Sequence, residues 1–278
     1  MPHVITVDQP TSVNLKSIET DSTGGLQKDE AVAKAQELGK EMEELFDLLF
    51  YSGKNSLLIV LQGMDTSGKD GTIKHILNFS NAQSCKVAPF KVPTPLELAH
   101  DFLWRVHSQA PPRGGITIFN RSHYEDVLVV RVHDLVPKDV WKERFDMINA
   151  FEHQLASSGT VVLKFFLHIS KTEQEERLLD REKDVEKSWK LSVGDWEERE
   201  LWDEYQKAYE DAIGKCASKA APWHIVPADH KWYRNLAVTE AILDRVRPLK
   251  KEWMADLKSV GDKAKAELEA FRQAKQKS

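Results

Sequence analysis

Cysteine is scarce in this chain. Its 278 residues hold two, Cys85 and Cys216, far apart and without metal-ligand spacing. That excludes a disulfide framework and a thiolate zinc site, and it predicts a reduced, cytoplasmic setting. His75, His107, His123 and His133 also lack zinc-type spacing, and no Ser-His-Asp or Cys-His arrangement is legible. Long apolar runs are missing: nothing approaches the ~18 residues of a membrane span. The opening stretch MPHVITVDQPTSVNLKS has no apolar core of signal-peptide length. There is no basic excess either. The formal net charge is −5, so a nucleic-acid partner is not expected, and any anion site must be a local gathering of Lys and Arg. With 41% hydrophobic residues, a chain of this length can bury a substantial core without staples.

What is present centres on Asn55–Thr72, NSLLIVLQGMDTSGKDGT. Leu57–Leu61 is an uninterrupted apolar run, as expected of a parallel strand covered on both faces. Gly63 and Gly68 bracket a four-residue loop, Lys69 follows, and Asp70–Phe79 continues as a predicted helix. This is the G-x-x-x-x-G-K order of a phosphate-binding loop. Glycines let the backbone wrap an anion, successive N–H groups and the helix start point at it, and the lysine adds a full charge. Gly63, Thr66, Ser67, Gly68, Asp70, Gly71 and Thr72 are therefore expected to line the phosphate. Two residues depart from the common pattern. Asp70 stands where Ser or Thr usually holds Mg²⁺, and Asp65 puts a negative charge inside the loop. A carboxylate there makes sense if it holds a cation.

Residues 1–25 are polar and predict an extended arm, and 26–278 a single domain. Asp29–Phe50 has helical periodicity at Leu38, Met42, Leu45 and Leu49. Further strands are expected at Cys85–Val92, Gly115–Asn120, Thr160–Ile169 and Trp223–Val226, with helices at Pro95–His107 and Pro137–Ser157. Alternating strands and helices predict an α/β fold with a mostly parallel sheet and ligands at the strands' C-terminal ends. The charged region 171–215 has apolar residues that look too sparse for a buried helix pair. It reads either as a solvated hairpin or as a mobile lid whose arginines act when shut. A charged helix over about 248–273 ends the chain.

Several side chains outside the loop could carry chemistry. Asn120 ends the GITIFN strand, where a metal-binding acid is expected, and Arg121 follows at once. Glu125 and Asp126 could restore the missing charge; Asn120–Ser122 could equally be a helix cap. Arg177 and Arg181, four apart, share one helix face, as phosphate ligands or as ordinary surface ion pairs. Lys86 and Lys91, flanking the second strand, are edge-strand gatekeepers or phosphate contacts.

Five ordered motifs, LLIVLQGMDTSGKDGT, LAHDFLWRVH, GITIFNRSHYEDVLVVRVH, FFLHISKTEQEERLLDR and PWHIVPADHKWYRN, make the chain resemble the polyphosphate kinase 2 family from about Leu48 to Lys251. The resemblance implies a P-loop kinase of the thymidylate-kinase-like kind, a three-layer α/β/α domain with a helical lid. It implies reversible phosphoryl transfer between inorganic polyphosphate and AMP, ADP or ATP, with Mg²⁺ (or Mn²⁺), in a homo-oligomer. Asp65 and Lys69 match the family's loop acid and lysine, Arg121 the arginine after the third strand, and Arg181 the lid arginine. Asn120 departs from members with Asp there, and with Glu125 it resembles the subclass that takes both mono- and diphosphates. On this basis Lys69, Arg121 and the loop N–H groups hold the polyphosphate end. Asp65, Asn120 and Glu125 are the metal set, and Arg177, Arg181 and Lys190 close from the lid. Lys86 and Lys91 are expected to line a groove for the polymer. An ATP-dependent nucleoside monophosphate kinase and a non-catalytic nucleotide-binding switch are the competing readings.

Overall fold

The computed structural model describes residues 4–183 and 192–277. Six strands form one sheet: β1 (Ile5–Val7), β2 (Ser56–Gln62), β3 (Cys85–Pro89), β4 (Ile116–Asn120), β5 (Thr160–His168) and β6 (Trp223–Pro227). Their order is β1-β6-β5-β2-β4-β3. Five run parallel, and β1 alone is antiparallel, pairing Ile5 with Ile225 and Val7 with Trp223. The expected arm therefore contributes an edge strand, and it also buries Leu15 completely. Every residue of β2 is buried, as its apolar run foretold. Its central place puts the loop that follows between the ends of β4 and β5.

The helices are α1 (Lys28–Ser52), α2 (Lys69–Leu77), α3 (Pro95–Leu98), α4 (Trp104–His107), α5 (Val129–Val132), α6 (Lys138–Ser157), α7 (Lys171–Lys183), α8 (Val193–Glu200), α9 (Trp202–Lys215), α10 (Lys231–Val246) and α11 (Lys250–Lys277). Side chains alternate across β5. Lys164 and Phe166 meet Glu152 of α6 and Tyr209 of α9. Phe165 stacks on His224, which shares a recess with Ala241 and Arg245 of α10. The sheet is thus covered on both faces. The α1 stripe Ala31, Ala35, Met42, Leu45 and Leu49 is buried against α10 and the start of α11. Gly39 completes it because a Cβ there would collide with the Phe79 ring.

Two expectations change. Pro95–His107 is two short helices, the first opened by a capping box between Thr94 and Glu97. More importantly, α9 is a core helix: Trp202, Tyr205, Ala208, Tyr209, Ala212 and Ile213 are buried. Of the two helices before it, α7 buries Gln174, Arg177 and Leu178, whereas α8 buries none of its residues.

Candidate active site

The loop after β2 turns through three residues with positive φ: Gly63 at 151°, Thr66 at 62° and Gly68 at 100°. At Gly68 a side chain would also strike the Arg234 guanidinium, and at Gly63 it would lie 2.7 Å from the Leu167 carbonyl and from Ser67 Oγ. Backbone curvature and close approach both require glycine there. Thr72 closes the first turn of α2, its N–H and hydroxyl both donating to the Gly68 carbonyl (3.0 and 3.2 Å). Among the described residues, Thr66 Oγ1 and Ser67 Oγ are buried without a hydrogen-bond partner. Orphaned hydroxyls in a loop of this shape are an observation in favour of a phosphate ligand.

Lys69 folds back onto the loop, its ammonium donating to the carbonyls of Gly63 (2.8 Å) and Met64 (3.0 Å). Burial, and next the Arg121 charge, lower its pKa to about 8. Arg121 follows β4 with φ of 60°, a strained conformation for a residue with a side chain. Its guanidinium reaches Asp65 at 2.6 Å and Glu125 at 3.5 Å. Burial would lower its pKa, but Glu125 and Asp65 outweigh that and raise it. Asn120 donates to Asp70 Oδ1 at 3.1 Å. Asp65, Asp70, Asn120 and Glu125 are hard oxygen donors of the kind Mg²⁺ takes, so the residues present fit such a cation in kind. Among the described residues no group of three His, Cys, Asp or Glu is gathered in advance; Asp65 and Glu125 are drawn onto Arg121 instead.

The two arginines of α7 have different surroundings. Arg177 is buried and fully engaged, donating to Glu173 (2.6 Å) and to the carbonyls of Thr66 (2.9 Å), Ala228 (2.7 Å) and Asp229 (2.8 Å). It clasps the phosphate loop to the segment after β6. Arg181, one turn on, is a quarter exposed and pairs with Asp195 of α8 at 3.0 Å.

These groups surround a cleft of about 540 Å³ lined by Lys69, Arg121, Arg177, Arg181, Lys231 and Arg234, with Asp65, Asp70 and Asp180 among them. A second cleft of about 450 Å³ lies beside α2, walled by Ile73, Lys74, Leu77, Asn78 and Val87. Asp70 and Asn120 line both. Of the expected residues, the loop set, Asn120, Arg121, Glu125, Arg177 and Arg181 come together. Lys86 and Lys91 do not: they are exposed on or just beyond the edge strand β3 and line neither cleft. Lys190 lies outside the described residues. The cations that flank the large cleft in their place are Lys231 and Arg234 of α10. Burial, and after it Arg177, lower the Arg234 pKa to about 10. Sequence reasoning gave these two no role, although basic residues just past the C-terminal end of a parallel strand were the signal to follow.

Comparison with known proteins gives a consistent result. The family model described as Polyphosphate kinase 2 (PPK2) matches residues 25–253. The chain is 48% identical over 237 residues to an AMP/ADP-polyphosphate phosphotransferase of Meiothermus ruber, covering 84% of this chain and 89% of that one. It is 43% identical over 223 residues to an ADP-polyphosphate phosphotransferase of Rhodopseudomonas palustris, covering 76% and 77%. The crystal structure of a polyphosphate kinase 2 from Arthrobacter aurescens superposes with a TM-score of 0.84 at 39% identity, over 87% of this chain and 88% of that one.

Proposed function

The chain belongs to the polyphosphate kinase 2 family, and from that premise we propose that it moves phosphoryl groups reversibly between inorganic polyphosphate and adenine nucleotides, AMP to ADP and ADP to ATP. It is a phosphotransferase with a P-loop kinase fold. The observation that supports this reading best is the pair of clefts that meet at Asp70 and Asn120. One is crowded with cations and suits a polyanion. The other is smaller, with apolar walls from Ile73, Leu77 and Val87, and suits a nucleoside. Their junction is where a donor phosphate and an acceptor phosphate would face each other.

Phosphoryl transfer needs positioning and charge neutralisation more than covalent help. Lys69, Arg121 and the loop N–H groups are suited to hold the end of the polyphosphate chain, with Lys231 and Arg234 supporting phosphates further along. Arg181 is placed to meet negative charge as it builds on the group in flight. Arg177 shapes the loop and is not free to leave it. An acceptor phosphate is already ionised, so no general base is required. Asp65, with Asn120 and Glu125, would hold Mg²⁺, whose positive charge would neutralise the phosphate oxygens when it is bound. Asn120 beside Glu125 supports the acceptance of both mono- and diphosphates. A homo-oligomer and a cytoplasmic location belong to the same reading; no helix among the described residues is long and apolar enough to cross a membrane.

The test is direct. Protein, Mg²⁺, polyphosphate and AMP or ADP are expected to give ADP and ATP. Turnover with ATP and a monophosphate alone would replace this reading by that of a conventional nucleotide kinase. Nucleotide binding with no transfer to any acceptor would replace it by that of a switch.

A further inference from the structure

The centre of the sheet holds a charged cluster that touches no substrate cleft. Lys164 sits in mid β5 and Glu152 on α6; their side chains are 0% and 3% exposed and 2.5 Å apart. The three ammonium protons of Lys164 are all used, on Glu152 Oε2, on the Tyr124 hydroxyl (3.0 Å) and on the Cys216 carbonyl (2.5 Å). Glu152 Oε1 accepts from the Tyr124 hydroxyl at 2.8 Å and lies 3.2 Å from His123 Nε2. The Lys164 charge also lies over the Trp223 ring, 5.2 Å from its centroid. A leucine or phenylalanine would suit such a site better on burial alone, because two charges taken out of water seldom gain stability from their pairing. The cluster therefore calls for a different account.

Its partners supply one. His123 and Tyr124 are consecutive residues of the short 3-10 turn His123–Asp126, and Glu152 ties both. Two residues before the turn, next to its cap Ser122, stands Arg121 with its positive φ; within the turn stands Glu125, the second carboxylate on that guanidinium. A second clamp acts from below. Ser122 Oγ accepts from Gln62 Nε2 (3.0 Å) and from the Tyr124 N–H (3.1 Å), and Gln62 in turn accepts from the Tyr209 hydroxyl at 3.4 Å. A strained residue persists only where its surroundings over-determine it, and at Arg121 those surroundings are these two clamps.

We propose that Lys164 and Glu152 are positioning residues for phosphoryl transfer: through Tyr124 and His123 they fix the turn that holds Glu125 on the Arg121 guanidinium and so aims Arg121 into the cleft. The inference rests on the proposed function for its kinetic consequence, but not for its structural one.

The experiment replaces the pair together, Lys164→Met with Glu152→Leu, so that no lone charge is left buried. The double variant is expected to stay folded, while the amides of residues 121–128 exchange hydrogen at least about tenfold faster, since their anchor is gone. The turnover number with polyphosphate and AMP is expected to fall about ten- to hundredfold with the nucleotide KM held within about threefold, the signature of misplaced groups. Unchanged exchange and turnover in the folded variant would overturn the proposal. If the double variant does not fold, Tyr124→Phe, which removes one hydroxyl and keeps the ring, carries the same two measurements with the same criteria. A wild-type protein that does not use polyphosphate would refute the functional reading, and the exchange comparison would still decide the role of the cluster.

Discussion

Lys69 shows how the loop is poised for an anion. With its ammonium turned onto two loop carbonyls and its pKa brought down to about 8 by burial, then by Arg121, it is a lysine whose charge is in question within the working pH range. The sign is clear: it is cationic below about 8 and neutral above, and a polyphosphate end favours the cation. The KM for polyphosphate is therefore expected to rise as pH climbs through 8, by about tenfold per unit at most from a single lost proton, while the nucleotide KM stays flat. Lys69→Arg, which cannot lose its charge, should remove the slope; an equal slope in both proteins would remove Lys69 from the donor site. Lys69 and Asp65 were legible in the sequence because a phosphate loop is a local pattern. The roles of Arg177 and Arg234 were not. Arg177 donates to carbonyls 111 and 51 residues away, and no spacing encodes that.

A single turn of α7 separates Arg177 from Arg181, and the helix gives them opposite duties. Arg177 is 8% exposed and holds three backbone carbonyls. Arg177→Ala is expected to destabilise the protein by about 2–4 kcal/mol, because the carbonyls lose a charged donor, and to loosen the loop with it. Among the described residues Arg181 pairs with Asp195, in partly solvated surroundings. Arg181→Ala should leave stability within about 1 kcal/mol yet cut turnover by about a hundredfold or more if its charge meets the transition state. Thermal unfolding and steady-state kinetics on the two variants separate these outcomes; equal stability losses would mean the helix face is one structural unit. The sequence offered phosphate ligands or surface ion pairs for the two. Arg177 is neither a surface residue nor a simple pair, because three backbone carbonyls hold it in the interior. The kinetics of Arg181→Ala decide between the readings for Arg181. Element by element, the parallel strands were plain. The core role of α9 was hidden because Trp202, Tyr205 and Tyr209, a helical stripe at spacings of three and four, sit among charges that dominated the view of the whole region. A three-residue edge strand such as β1 carries too little periodicity to announce itself.

At the scale of the whole molecule, the strand order explains why the two clefts adjoin: β2 lies between β4 and β5, so the ends of all three converge on the phosphate loop. What the fold does not use is the end of α11. Trp253 is buried and donates to Asn55, but from Lys258 onward all residues but Gly261 are exposed through 275, and the family match itself stops at 253. The helix α1 spends its apolar stripe on α10 and α11 and has none left for a second subunit. On α11, Met254, Leu257, Gly261, Ala264, Leu268 and Phe271 follow each other at alternating steps of three and four, the seam of a two-stranded coil. Glu267 and Arg272 flank it five residues apart, so across a parallel pair the acid of one copy faces the base of the other. A helix standing several turns clear of its domain has little support of its own, and a second copy of α11 would provide it. Truncation after Leu257 is therefore expected to lower the number of chains per particle, measured by light scattering. Stability should stay within about 0.5 kcal/mol and turnover should be unchanged, since neither cleft includes the removed residues. An unaltered number of chains per particle would rule out the seam as the subunit contact, and a large loss of stability would show that the tail packs on its own domain.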